Sequence, residues 1–295
     1  MNRVVRAHLF LFISTIIASL NYSIAKIVTP AYLSPAVVIG SRMVCTSLFF
    51  YLFITFTKRS FFIEKKDRFR LFASAIFGIA INQICFFEGL SRTLPINASL
   101  IMSGIPITVF VLSILFLKEK ISLLRITGLG LSAIGAVLLL IHSKGKPDGI
   151  FLGDILVLTN AVSYGIFMIV VKDIMKKYDS IVILFWLFLI GMMLASPYLY
   201  FKIDIAALQP IPMEAWWSLI YVIVMATIVN YYIGLDVLKD ISASTSSIYV
   251  YVQPLTTMII AIGLGKDHLE LERTLAALAI IAGVYLVSKK KEELG

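Results

Sequence analysis

The residues with chemistry to offer are polar side chains set inside long apolar runs. Asn82-Gln83 and Asn230-Tyr231 each sit within a long, mainly apolar stretch. Asn21-Tyr22 resembles Ser163-Tyr164, and Asn160 precedes the latter by about one helical turn. Tyr249, Tyr251 and Gln253 stand just ahead of Pro254, as Asn97, Ser99, Ser103 and Gly104 stand ahead of Pro106. Amides and phenols can orient a small molecule by hydrogen bonding, and aromatic faces add apolar or cation–π contact. The same groups can equally tie helices together. The expected binding set is Asn21, Tyr22, Arg42, Asn82, Gln83, Asn160, Tyr164, Asn230, Tyr231, Tyr249 and Gln253.

Four charges gather in the outer half of the first part of the chain: Lys26, Arg42, Glu88 and Arg92. Arg42 lies about 10 Å along its apolar run, at 1.5 Å per residue. One reading is a vestibule that attracts a carboxylate. The favoured one is an Arg42–Glu88 pair, with Lys26 and Arg92 reaching for the interface. Glu88 and Asp236 occupy matching positions and are either proton sites or, preferably, interfacial carboxylates. Pro106 and Pro254 interrupt their runs at matching places and each removes a backbone hydrogen bond. Together with Lys26, Glu88 and Asp236 they form the expected coupling or gating set. Catalytic chemistry is not indicated. His8, His142 and His268 are far apart, Cys45 and Cys85 lie in apolar runs, and no metal-ligand or disulfide spacing occurs. No cofactor is expected.

These positions recur because the chain repeats itself 148 residues on. Asn82, Pro106, Thr108, Lys118, Leu123, Arg125, Gly135 and Leu138 return as Asn230, Pro254, Thr256, Lys266, Leu271, Arg273, Gly283 and Leu286. The elements that carry them must cross a bilayer. Hydrophobic residues make up 60% of the chain and charged residues 15%, well below the typical share of about 25%. The net charge of +9 sits in short blocks between apolar runs, which argues against a nucleic-acid surface. A span takes about 20 apolar residues. Ten segments qualify: 7–28, 35–57, 69–92, 93–117, 123–142, 151–172, 179–201, 216–238, 241–265 and 272–288. They are read as helices, because in lipid the backbone must satisfy its own hydrogen bonds. The first is too long for a signal-peptide core, so it is read as a retained span.

With the N-terminus inside, 18 of the 26 Lys and Arg residues fall on the cytoplasmic side and six on the other. The C-terminus is then also inside. The expected organisation is a first repeat at 1–142, a linker at 143–150 and a second repeat at 151–295. Five spans per repeat is odd, so the second copy enters from the opposite side and the repeats are inverted. The fold class is therefore an all-α integral membrane protein, ten helices in two inverted five-helix repeats. Gly128, Ser132 and Ala136, and Ala279 and Gly283, form small-residue stripes suited to close packing or to a homodimer.

The stretch Asn97-Ala98-Ser99…Pro106…Leu117-Lys118-Glu119-Lys120-Ile121-Ser122…Arg125…Gly128…Gly135 resembles the first repeat of the EamA family. Pro254…Gly265-Lys266-Asp267…Leu271…Arg273…Gly283-Val284-Tyr285-Leu286 resembles the second. The resemblance covers nearly the whole chain and implies the drug/metabolite transporter superfamily, with a central cavity between two inverted repeats. Such proteins are commonly exporters of amino acids, metabolites or drugs across the bacterial inner membrane. Two features depart from the pattern. The family's frequent Gly-Glu is Lys118-Glu119 here and Lys266-Asp267 in the second copy, and the first span has no acidic residue to match the helix-1 carboxylate of small multidrug relatives.

The expected function is secondary transport by alternating access, most simply export of an amino acid or similar metabolite. A nucleotide-sugar or phosphorylated-metabolite carrier shares the architecture but calls for a more basic site than Lys26 and Arg42 provide. A membrane-embedded transferase lacks its Asp or His cluster, and a scaffold lacks an output domain. The expected partners are a small solute and the bilayer.

Overall fold

A computed structural model describes residues 3–117, 150–204, 210–240, 249–263 and 270–288, with 126–128, 130–131, 134–135, 138, 246 and 265. Every regular element among them is helical. The order is α1 (Arg3–Val28), α2 (Pro35–Phe56), α3 (Arg68–Ala75), α4 (Ile81–Arg92), α5 (Pro95–Met102) and α6 (Ile105–Leu117). Then come α7 (Ile150–Met175), α8 (Ser180–Lys202), α9 (Met213–Ile223), α10 (Asn230–Val237), α11 (Val252–Gly263) and α12 (Leu271–Ser288). Seven stretches among the described residues are long and apolar enough to cross a membrane. The expected span 123–142, with Ser132 and Ala136, lies largely outside the described residues, as do Lys118, Glu119, Arg125, Lys266 and Asp267, the linker 143–149, and much of the early part of 241–265. Seven of the expected ten spans are thus present at that length among the described residues, with α11 and α12 as shorter helices in two others.

Two of the long helices are not regular. α3 runs into α4 through a π-helical turn at Ile76–Ala80, and α9 into α10 through another at Val224–Val229. Each turn ends one or two residues before its asparagine, Asn82 or Asn230. A π turn widens the helix and re-aims the side chains beyond it. The prolines act differently from expectation. Pro106 is the second residue of α6 and Pro254 the third of α11. The interruptions lie upstream, at the Ser103-Gly104 turn and at the 3-10 turn Tyr249–Tyr251. The physical reason is that proline is tolerated in a first turn, where its missing N–H has no intrahelical partner to lose.

Local sequence sets the helix starts. Ser34 caps α2 by accepting from the Val37 N–H at 3.4 Å, with Pro35 first in the helix, and Asp179 caps α8 by accepting from the Ile181 N–H at 2.9 Å. On α2, Ile39, Met43, Phe50 and Ile54 are buried along one face while Leu48, Phe49 and Leu52 are exposed on the other. That apolar exposure suits lipid as solvent. α1 packs on α9, α10 and α11; α7 packs on α3, α4, α5 and α6; α2 packs on α8; and α5 packs on α11. At the end where α1 begins, the basal end, ion pairs join the halves: Arg59–Asp179 at 2.6 Å, Arg70–Asp173 at 2.6 Å and Lys177–Asp67 at 3.0 Å. At the opposite, distal end α4 and α7 cross at glycines. A Cβ on Gly153 would lie 2.8 Å from the Thr93 nitrogen and 2.9 Å from the Gly89 carbonyl, so only glycine permits the approach.

Candidate functional site

The helices enclose a cavity of about 150 Å³ between the first and second halves of the chain. α1 supplies Asn21 and Tyr22, α2 supplies Arg42, and α4 supplies Asn82 and Gln83. From the other half α7 brings Asn160 and Tyr164, α10 brings Asn230 and Tyr231, the last break brings Tyr249, and the start of α11 brings Gln253. All eleven residues of the expected binding set thus surround one space. Leu11 of α1 and Leu238, just beyond α10, also line it, so it extends toward the basal end.

The wall is a hydrogen-bond network that crosses between the halves. Gln83 Nε2 donates to Tyr231 Oη at 2.6 Å, joining two residues at equivalent repeat positions. Tyr231 Oη donates to Asn82 Oδ1 at 3.0 Å, and Asn160 Nδ2 donates to the Asn82 carbonyl at 2.7 Å. On the other side Ser14 Oγ donates to Asn230 Oδ1 at 2.5 Å, and Tyr22 Oη to Gln253 Oε1 at 3.2 Å. His8 Nδ1 lies 2.7 Å from Tyr249 Oη at the basal edge. The π turns contribute directly: Ser163 Oγ donates to the Phe77 carbonyl at 2.6 Å, and Thr227 Oγ1 to the Val222 carbonyl at 2.6 Å. Even so, Asn21 Oδ1, Gln83 Oε1 and Asn160 Oδ1 are buried without a partner.

The favoured Arg42–Glu88 pair does not form. Arg42 donates from Nε to Thr227 Oγ1 at 2.6 Å, and its guanidinium carbon sits 4.5 Å from the Phe87 ring centre. Phe87 and Glu88 project about 100° apart around α4. With Phe87 turned to Arg42, Glu88 faces α8, where it accepts from the Tyr198 hydroxyl at 2.6 Å while pairing with Arg92 of its own helix at 2.6 Å. Asp236 is held at the basal end by Lys239 at 3.2 Å, Arg6 at 4.0 Å and Ser180 Oγ at 3.0 Å. Lys26 Nζ donates to the Ser91 carbonyl at 3.3 Å. Glu88, Asp236, Lys26, Pro106 and Pro254 all lie outside the cavity lining.

Sequence reasoning missed Asp154. It is fully buried in α7, where its carboxylate accepts from Thr93 Oγ1 and, at 3.2 Å, from Asn97 Nδ2. It therefore clasps the α4–α5 corner to α7 beside the Gly89–Gly153 crossing. Its signal was present: a lone carboxylate in the run Ile150–Leu158 must be accounted for in a membrane helix. Thr227 was missed for want of any signal, since a threonine in an apolar run is commonplace. Among the described residues no group of three or more His, Cys, Asp or Glu could hold a metal.

The profile of the EamA-like transporter family matches residues 5–141 and again 151–289. The chain belongs to that family. It is a transporter of the drug/metabolite superfamily and a multi-pass membrane protein, with one family match in each half of the chain. Among its relatives are two Bacillus subtilis proteins. "Uncharacterized transporter YetK" is 21% identical over 90% of this chain and 80% of its own length. "Uncharacterized transporter YyaM" is 23% identical over 93% and 90%. An Archaeoglobus fulgidus transporter is 24% identical over 88% of this chain and 91% of its own. A solved crystal structure superposes with a TM-score of 0.68 at 15% identity, covering 96% of each chain, which establishes the likeness of fold.

Proposed function

We propose that this transporter exports a small metabolite, an amino acid or a similar compound, by alternating access around the central cavity. The observation that carries the reading is the cavity itself, walled by both repeats at matched positions, Asn82 with Asn230 and Gln83 with Tyr231. The two halves contribute ten helices as inverted repeats. That arrangement is supported by an exchange of packing: α4 and α6 lie on α7 as α10 and α11 lie on α1. Substrate binds among the polar side chains near the middle of the bundle, and the repeats rock to expose it to each side in turn. Both termini lie in the cytoplasm of a bacterial cell, with the bundle in the inner membrane, a reading supported by the excess of Lys and Arg in the segments on one side. The cavity then extends toward the cytoplasm, and the Asp154 clasp and the Glu88–Arg92–Tyr198 cluster hold the outer end together. No nucleotide is consumed; a solute or proton gradient supplies the energy.

The test is a comparison by mass spectrometry of medium and cytosol from cells with the intact chain and with empty vector. A compound depleted inside and enriched outside only with the intact chain supports export. Accumulation inside the cell would reverse the direction. No redistribution of any compound, with folded protein in the membrane, would count against transport of a cellular metabolite.

A further inference from the structure

Arg42 carries the one formal charge among the described lining residues. It is 3% exposed, its Nε donates to Thr227 Oγ1 and its guanidinium lies over the Phe87 ring. Those contacts fix the plane of the guanidinium but leave both Nη groups over. Among the described residues no acceptor takes them, and neither is sealed away, so they open onto the cavity. A buried cation in a membrane protein ordinarily finds a counter-charge. Here the carboxylate expected to supply it, Glu88, is already engaged by Arg92 and Tyr198. Two amide oxygens on α1 and α7 are, by contrast, sealed away without a partner. Asn160 Nδ2 is committed to the Asn82 carbonyl, which can only accept, so Asn160 Oδ1 is the atom left over. Asn21 Oδ1 is also left over.

We propose that Arg42 is the anchor for a substrate carboxylate, and that the transported molecules are small monocarboxylates, zwitterions included. This rests on the transporter reading of the cavity. The two Nη groups make a bidentate fork that matches a carboxylate, and the ligand supplies the absent counter-charge at the moment the cavity closes. Donor groups on the substrate, an ammonium among them, meet the amide and phenol groups that line the cavity. A single guanidinium suits one negative charge rather than a diphosphate. A cationic amine without a carboxylate gains nothing and is repelled.

The experiment uses the purified full-length chain and four probes of one shape: leucine, 4-methylpentanoate, leucinamide and isoamylamine. Thermal unfolding is followed at matched probe concentrations for the wild type, Arg42→Lys and Arg42→Gln. Leucine and 4-methylpentanoate are expected to stabilise the wild type, and the two cations without a carboxylate are not. Arg42→Gln should weaken the carboxylates by at least about tenfold, as expected for loss of a charge-assisted hydrogen bond. Arg42→Lys should fall between, keeping the charge but not the fork. Equal stabilisation by leucinamide and isoamylamine, or undiminished carboxylate affinity in Arg42→Gln, overturns the assignment. A wild type that responds to none of the four also overturns it, while metabolite export by the intact chain would still uphold the transporter reading. Should Arg42→Gln fail to fold, the wild-type selectivity and Arg42→Lys decide the matter.

Discussion

The Asp154 clasp makes a quantitative prediction about the distal end. Asp154 is fully buried and receives the Thr93 hydroxyl and the Asn97 amide, two donors from either side of the α4–α5 corner. Asp154→Ala removes the acceptor for both. Side-chain hydrogen bonds within membrane bundles average about 0.6 kcal/mol and reach about 1.7, so losing two costs about 1 to 3 kcal/mol. Thr93→Val removes one donor while keeping the shape, at about 0.6 kcal/mol. Because the pair is in direct contact, the two changes should not add: the double variant should be less damaged than the sum by about 0.6 to 1.7 kcal/mol. Asp154→Asn keeps an acceptor and should cost less than Asp154→Ala. The assay is reversible unfolding in detergent of the four corners of the cycle. Additivity within about 0.3 kcal/mol would refute the clasp, because independent sites behave that way.

Further outcomes rest on the same geometry. Gly153→Val places a side chain 2.8 Å from the Thr93 nitrogen and 2.9 Å from the Gly89 carbonyl, so it should part α4 from α7 and lower the thermal midpoint more than Asp154→Asn does. An unchanged midpoint would mean that these helices are not in close contact. Glu88→Gln and Asp236→Asn break ion pairs outside the cavity lining. They should reduce thermal stability modestly and leave the pH profile of transport per folded molecule in place. A flattened profile in either variant would restore that carboxylate as a coupling site.

Much of the candidate site was legible in the order of the amino acids. Polar groups inside apolar runs are few, and the repeat marks which of them recur, so Asn82, Asn230 and their neighbours Gln83 and Tyr231 stood out together. Helix starts were legible where a cap and a proline coincide, as at Ser34-Pro35. Pairings across helices were not. Whether Arg42 meets Glu88 or Phe87 depends on the rotation of α4, and a sequence does not reveal the π turn at Ile76–Ala80 that sets it. Asp154 was overlooked because it has no partner at the repeat-equivalent position, where Arg6 stands, and attention to recurrence passes over such residues. The break near Pro106 was expected at the proline itself. The chain instead turns two residues earlier and lets the proline begin the next helix.

The central claim is that solute passes through the cavity between the repeats, and Gly234 offers the most direct test. It lines the cavity, and a Cβ added there meets no atom within 4 Å, so a cysteine can be accommodated. In a background with Cys45→Ser and Cys85→Ser, Gly234→Cys would be treated with a membrane-permeant thiol reagent and export of the identified metabolite measured. Leu48→Cys, on the exposed face of α2, is the control. The account predicts that labelling stops export at Gly234→Cys, that the metabolite slows the labelling, and that Leu48→Cys is unaffected. Undiminished export with Gly234→Cys fully labelled would contradict it.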